Sequence, residues 1–464
     1  MASLLKAAGA DAGDTVDVET PTGKVQGVLM PHHEFSSPEA VVLKLSSGYN
    51  IGVTLTPDSK VSLLAKRSEP APKPARPTVE REGRRISLLH TGGTIASRVD
   101  YRTGGVVASF TPEEMLELIP EVASVPGLGR LETRLVTNIF SDNMRLGHLN
   151  VIGRAVHEAV RNGAEGVIVT HGTDTMHYSA AGLAFMLENC PVPVLLVGSQ
   201  RSSDRPSSDA ATNLLGALRF LCDPETPKRF KGVGICMHHD ESDRTLNVLA
   251  GTRARKMHSS RRDAFKPVND VPAAIIPYPE GPITWLHRPP PPPPEGDGAF
   301  RLLPIDEDVL VGILKFRLGT TPDEVRFYVE KGYDGLVLEG TGLGHVPIGV
   351  TDEHSEENGW IREELKHLID GGCVVAITTQ TIHGRVDISV YSNGRDLLRL
   401  GVVGDGLDMT PETAYMKLLW LLSNHPAEEA KPLFGKNLRG EISARSDPGD
   451  SHRVDPTRDE EATR

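Results

Sequence analysis

Residues Leu88 to Ser97 read LLHTGGTIAS, and Val169 to Ala180 read VTHGTDTMHYSA. Each stretch leaves an apolar run, passes through glycine and hydroxyl residues, and enters a segment of different periodicity. A buried strand that hands over in this way leaves free backbone N–H groups at the carboxyl edge of a parallel sheet, where open α/β sheets bind ligands. Two such turns predict a doubly wound α/β fold and mark its functional edge. The first lacks both the lysine of a P-loop and the spacing of G-x-G-x-x-G, so it does not read as a nucleotide cradle.

The flanking sequence agrees. RISLLH, GVIVTHG, PVLLVGSQ and GVGICMHH read as buried strands, separated by TPEEMLELI, HLNVIGRAVHEAVRNG (ending at Gly163), SAAGLAFMLENC and DAATNLLGALRFLCD as helices. Strands alternating with helices of this length predict parallel sheets. After six prolines, Pro289–Pro294, a second series follows: VLVGILKF, TPDEVRFYVEKG, GLVLEGTGLG, SEENGWIREELKHLIDGG, VVAITTQ and TPETAYMKLLWLLS. The first part of the chain differs. DTVDVET, GKVQGVLM, AVVLKLSS, YNIGVTL and KVSLLAK are short alternating strands, which predict a small closed or nearly closed SH3-like or Sm-like barrel. The expected organisation is a β-barrel over 1–68, a linker over 69–84, an α/β domain over 85–282, a proline-rich excursion over 283–302, a second α/β domain over 303–425, and a segment 426–464 disordered from about 445.

The chain has 464 residues, a formal net charge of -12, and 38% hydrophobic residues, values that fit a soluble multidomain protein without general affinity for a polyanion. No apolar run is long enough to span a bilayer, and the N-terminus reads poorly as a signal peptide. Four separated cysteines form no CxxC pair, so neither a disulfide framework nor a metal site is expected, and a cytoplasmic location fits.

The two turns also carry chemistry. Thr173 and Asp174 follow a strand directly; either residue also serves as a helix cap. Lys256 lies in TRARKMHSSRRDAF, where neighbouring positive charges favour its neutral form; a solvated basic loop is the alternative reading. A threonine nucleophile, a Thr–Asp–Lys relay and backbone N–H groups for an oxyanion together suit acyl transfer from a carboxamide.

TGGTIAS, THGTDTM and the Lys256 segment resemble the two signature motifs and catalytic lysine of the bacterial-type L-asparaginase family, over roughly Arg85 to Ser423. The resemblance implies a larger N-terminal α/β domain carrying the site and a smaller C-terminal one. It implies Thr94 as nucleophile, with Thr173, Asp174 and Lys256 completing the catalytic relay. It further implies that Ser141 in FSDNM, Asp174, Tyr101 in DYRTGG and the backbone of Gly93 bind substrate, with Tyr101 on a loop that closes over the site. His345 in GTGLGH stands where members often present an asparagine near the neighbouring subunit's site.

With the barrel, RKMHSSRRDAF, QTIHGRV and PETAYMKLLW counted, the chain is similar to the GatD family of archaeal glutamyl-tRNA(Gln) amidotransferases over nearly its whole length. That similarity implies release of ammonia from glutamine or asparagine through an acyl-threonine intermediate. It implies a partner, GatE, that binds ATP and magnesium and most of the Glu-tRNA(Gln), no cofactor in this chain, and a dimer within a heterotetramer. The barrel, poor in basic and aromatic residues, reads as a docking or regulatory module in preference to an RNA platform, and the proline run as an exposed insertion or an SH3-type ligand. A free-standing asparaginase or glutaminase is the alternative, and a non-catalytic amide-binding module a more distant one.

Overall fold

The computed structural model describes residues 2–32, 37–46, 50–67, 81–92, 97–99, 106–108, 119–201, 208–286 and 297–446. The expected helix TPEEMLELI (111–118 of it), the run Pro289–Pro294 and the chain after 446 lie outside the described residues.

A short helix, α1 (Ala2–Ala8), precedes five antiparallel strands: β1 (Thr15–Thr20), β2 (Gly23–Leu29), β3 (Ala40–Lys44), β4 (Asn50–Thr54) and β5 (Lys60–Ala65). Their order is β4-β3-β2-β1-β5. Alternation turns Val16, Val18, Val41 and Leu43 inward, and Leu4 and Leu5 of α1 pack on the same cluster. The strand pattern of the sequence predicts no helix here; its two leucines supply apolar cover that a five-stranded sheet of this size lacks by itself. Asp14 ties the first strand to the chain after β5, accepting from Arg67 N at 2.8 Å and Lys66 Nζ at 2.9 Å.

The next domain is built on an eight-stranded sheet. Its strands are β6 (Arg84–His90), β7 (Leu128–Leu135), β8 (Gly166–Thr170), β9 (Pro193–Val197), β10 (Gly232–His238), β11 (Thr245–Ala250), β12 (Ala274–Pro277) and β13 (Thr284–Trp285), in the order β13-β12-β11-β10-β9-β8-β6-β7. Strands β6 to β10 are parallel, as the alternating pattern predicts. From β10 to β13 the pairing is antiparallel. The connection 239–244 is too short for the crossover that a parallel neighbour requires.

Helices α2 (Leu146–Arg161), α3 (Met176–Met186) and α4 (Ala210–Cys222) cover the sheet. Helix α2 ends at Asn162 and Gly163, whose φ of +91° is a left-handed value that glycine adopts freely. Helix α3 is apolar on nearly every side because it lies inside the molecule, with all but one of its residues buried.

The C-terminal domain has three parallel strands, β14 (Val311–Lys315), β15 (Gly335–Gly340) and β16 (Val374–Thr379). With them come helices α5 (Pro322–Glu330), α6 (Glu356–Asp370), α7 (Ser392–Leu400), α8 (Pro411–Asn424) and α9 (Ala427–Phe434). Thr321, Pro322 and Glu324 start α5 with a capping box. Helix α8 packs directly on α3: Phe185 stacks on Trp420 with centroids 5.8 Å apart, and a Cβ at Gly182 would meet Met416 Cε at 2.6 Å. One apolar cluster therefore runs from β8–β10 through α3 and α8 to β15 and β16. The two domains share a core.

All four cysteines are free and buried. Burial pushes the Cys190 thiol up to about 11 and those of Cys222 and Cys373 to about 12, so none of these three is primed as a nucleophile. No helix among the described residues is long and apolar enough to cross a membrane.

Candidate active site

The two glycine- and hydroxyl-rich turns meet at the carboxyl edge of adjacent strands. In the β6–β8 register His90 lies opposite Thr170. Thr91 Oγ1 donates to the Thr170 carbonyl at 2.6 Å, and His90 Nδ1 lies 2.6 Å from Thr170 Oγ1. Gly92 follows with φ of +97°, and a Cβ there would fall 2.6 Å from Ile139 N, so only glycine fits. Beyond it, Gly93, Thr94 and Tyr101 lie outside the described residues.

Strand β8 delivers Gly172, Thr173 and Asp174 to the same edge. A Cβ on Gly172 would fall 2.7 Å from Ser141 Oγ, so the missing side chain allows the turn to close on Ser141. Ser141 Oγ accepts from Asp174 N at 3.2 Å, and Thr175 Oγ1 donates to the Ser141 carbonyl at 2.8 Å. These contacts fix the turn at both ends.

Lys256 arrives from a separate ladder, Ala254–Lys256 against Phe265–Pro267. Its Nζ donates to Thr173 Oγ1 at 2.9 Å and to Asp174 Oδ1 at 2.8 Å. The Lys256 side chain is 11% exposed, whereas that of Asp174 is 67% exposed. One end of the group is thus shielded and the other open to a ligand. The structure brings Thr173, Asp174, Lys256 and Ser141 together. His345 lies on the C-terminal domain, where its ring packs edge-on against Tyr391 at 5.2 Å. Among the described residues no cluster of His, Cys, Asp and Glu has the arrangement of a metal site.

Side chains to which the sequence motifs assign no role surround this group. His171 is fully buried and its Nδ1 lies 2.6 Å from the Gly172 carbonyl. His177, in the first turn of α3, lies 3.9 Å from a Glu412 oxygen, and Arg255 Nη2 lies 3.0 Å from the same oxygen. Both histidines are visible in THGTDTMH, but nothing in that string says that they turn inward. Burial lowers each imidazole to about 4; a secondary opposing effect on His171 is its bond to Gly172, while Arg255 and Lys256 push His177 further down.

These shifts predict acid sensitivity. Above the ordinary histidine value near 6.5 both folded and unfolded chains carry neutral rings. As pH falls from 6.5 toward 4 the unfolded chain takes up protons that the folded one refuses, so stability falls. Each histidine contributes a slope of about 1.4 kcal/mol per pH unit in that window. Urea unfolding between pH 7 and pH 5 reads this slope, and His177→Gln is expected to remove about half of the part due to this pair. A midpoint that does not move over that range would contradict it.

Comparison with known proteins agrees with this geometry. Residues 85–290 match the family model "Asparaginase, N-terminal", residues 310–434 match "Glutaminase/Asparaginase C-terminal domain", and residues 10–64 match "GatD N-terminal domain". The glutamyl-tRNA(Gln) amidotransferase GatD subunit of Thermofilum pendens is 41% identical over 454 residues, covering 96% of each chain. Its counterpart from Pyrococcus furiosus is 38% identical over 461 residues, covering 96% of this chain and 98% of that one. Among solved structures, the thermostable L-asparaginase from Thermococcus kodakarensis superposes with a TM-score of 0.65 at 31% identity, covering 78% of this chain and 100% of that one. The L-asparaginase I of Vibrio cholerae gives 0.63 at 25% identity, covering 78% and 99%. With an asparaginase-type pair of α/β domains behind an N-terminal all-β region, and this identity over almost its full length, the chain belongs to the GatD family of glutamyl-tRNA(Gln) amidotransferase subunits.

Proposed function

We propose that this chain is the amide-hydrolysing subunit of a tRNA-dependent amidotransferase, releasing ammonia from glutamine or asparagine. The observation that carries the reading is Lys256 Nζ placed 2.9 Å from Thr173 Oγ1 and 2.8 Å from Asp174 Oδ1 at the carboxyl edge of β8.

In the proposed mechanism Thr94 Oγ attacks the amide carbon, and backbone N–H groups of the glycine turn stabilise the oxyanion. The hydroxyl proton leaves as the C–O bond forms and is delivered to the departing nitrogen, so that ammonia and an acyl-threonine result. Water then cleaves the ester, returning the proton to Thr94 and giving glutamate or aspartate. Lys256, when neutral, accepts a proton through Thr173, and Asp174 stabilises the cation formed and grips the substrate's α-amino group. Ser141 supports Asp174 by accepting from its backbone N–H.

The N-terminal domain match distinguishes this chain from a free-standing asparaginase, because the asparaginase structures leave more than a fifth of it uncovered. The released ammonia is consumed by a partner, proposed to be a GatE protein that holds ATP and magnesium, contacts most of the Glu-tRNA(Gln), and joins two copies of this chain in a cytoplasmic heterotetramer. This chain itself is proposed to need no cofactor. Ammonia release by the purified chain, alone and then with GatE and Glu-tRNA(Gln), tests the reading. Slow hydrolysis that rises sharply with both additions is expected. Fast hydrolysis indifferent to them would make the chain an autonomous amidohydrolase.

A further inference from the structure

Lys256 ends a short strand whose backbone pairs with Phe265–Pro267 and whose preceding side chains reach into the C-terminal domain and the chain that follows it. Thr252 accepts at its carbonyl from Thr413 Oγ1 at 3.0 Å. Arg253 is buried and paired with Asp408 at 3.0 Å, and it also donates to the Gly440 carbonyl at 3.0 Å and to Ser443 Oγ at 2.8 Å. Arg255 reaches Glu412, on the first turn of α8, at 3.0 Å. Successive side chains of a strand point to opposite faces, so Arg253 and Arg255 grip the far domain from one face while Lys256 leaves from the other.

We infer that Glu412 is a positioning residue for Lys256, acting through Arg255 so that the C-terminal domain sets the catalytic relay of the N-terminal one. The inference rests on the proposed amide hydrolysis and adds to it a part of the molecule that contributes no residue to Thr94, Thr173, Asp174 or Lys256.

Three features distinguish Glu412 from an ordinary surface ion pair. First, its side chain is only 10% exposed, so the carboxylate is largely dry, and an ion pair shielded from water is stronger than an exposed one. Second, its Oε2 is buried without a hydrogen-bond partner among the described residues. An unsatisfied buried oxygen costs stability, and departures of this kind collect where function has fixed a group in place. Third, the neighbouring histidine does not compete: His177 Nε2 stands 3.9 Å from Oε1, beyond hydrogen-bond reach, and burial keeps that ring neutral at ordinary pH. Arg255 is therefore the group Glu412 holds.

The consequence is geometric. A lysine side chain has four rotatable bonds, and reaching two acceptors 2.8–2.9 Å away requires a backbone fixed to a fraction of an ångström. Without Glu412 the Arg255 anchor is lost, the end of the strand relaxes, and Nζ drifts from Thr173 while Ser141, held to the Asp174 turn by its own contacts, stays where it is.

Glutamine hydrolysis by the chain assembled with its GatE partner and tRNA tests this, with melting temperature measured in parallel. Glu412→Ala and Arg255→Ala are each expected to lower kcat about 10- to 100-fold with KM changed less than about twofold. The double variant is expected to be no slower than either single one, because both remove the same contact. Glu412→Gln, whose amide oxygen keeps a polar contact for Arg255 at the same place, is expected to recover most of the rate. Normal kcat in Glu412→Ala, multiplicative losses in the double variant, or a KM that rises with the loss in kcat would overturn the inference. Should Glu412→Ala fail to fold, Glu412→Gln beside Arg255→Ala decides: equal rates in those two would overturn it. An inactive wild-type assembly would instead overturn the hydrolysis reading, and this inference with it.

Discussion

Lys256→Ala is expected to lower amide hydrolysis by about 10²- to 10⁴-fold, the range a positioned proton-transfer group contributes. Lys256 Nζ bridges Thr173 Oγ1 and Asp174 Oδ1, and its side chain is almost enclosed, so alanine removes that bridge and admits water in its place. Ser141 accepts from the Asp174 backbone without Lys256, whereas the Asp174 carboxylate loses a partner, so KM is expected to rise, but less than kcat falls. Lys256→Arg separates the two roles the lysine combines. A guanidinium keeps a positive charge beside Asp174 but does not give up a proton in a protein. If proton transfer is the role, arginine is as slow as alanine; if the charge alone matters, arginine restores much of the rate. Ammonia release measured for the three proteins under one set of conditions reads the difference, and near-normal turnover in Lys256→Ala would send the proton path elsewhere.

The order of elements was legible because each carries a local signature. Gly163 ends α2, Pro322 and Glu324 begin α5, and Thr410 and Pro411 begin α8, all from capping chemistry that acts within a few residues. The edge of the sheet that bears the site was legible for the same reason, since strand-terminal turns with glycine are short patterns. What escaped depends on distant residues. The antiparallel half of the large sheet follows from the length of one connection, and the contact of α3 with α8 joins segments separated by about half of the chain. Helix α1 is too short for its periodicity to register.

The site divides in the same way. Thr173 and Asp174 stand out in a turn of their own. Around Lys256 the sequence shows only a run of positive charge, which the fold splits in two. Arg253 and Arg255 turn toward Asp408 and Glu412, while Arg261 and Arg262 pair with acidic groups at Glu241, Asp243 and Asp263. The fold brings Lys256 to the Thr173–Asp174 turn and leaves Arg261 and Arg262 in ion pairs away from it. Composition could not say which residue belonged to which part, because the deciding partners are carboxylates elsewhere in the chain.

The same dependence on distant partners makes the C-terminal segment a determinant of stability. The sequence pattern ends the second α/β domain at 425 and reads 426–464 as a C-terminal segment, disordered from about 445; within that segment α9 is followed by a turn that buries Glu441 completely against Lys417 of α8, at 2.6 Å with neither side chain exposed. Glu441 also accepts from the backbone N–H groups of Leu438 at 2.9 Å and Arg439 at 2.6 Å, so it organises the turn as well as balancing the lysine. Glu441→Ala is expected to destabilise the chain by about 3–5 kcal/mol, the cost of leaving one charge of a buried pair without its counter-charge. Lys417→Met combined with Glu441→Gln removes both charges while keeping volume and a backbone acceptor, and is expected to cost much less. Urea unfolding of the single and double variants tests the pair. A double variant as unstable as Glu441→Ala would mean that the carboxylate acts through the turn alone. A stable Glu441→Ala would mean that the segment is not part of the cooperative fold. The first outcome would leave Arg439, which donates to the Ala184 carbonyl of α3, as the link between the segment and the helix that leads from the active-site turn.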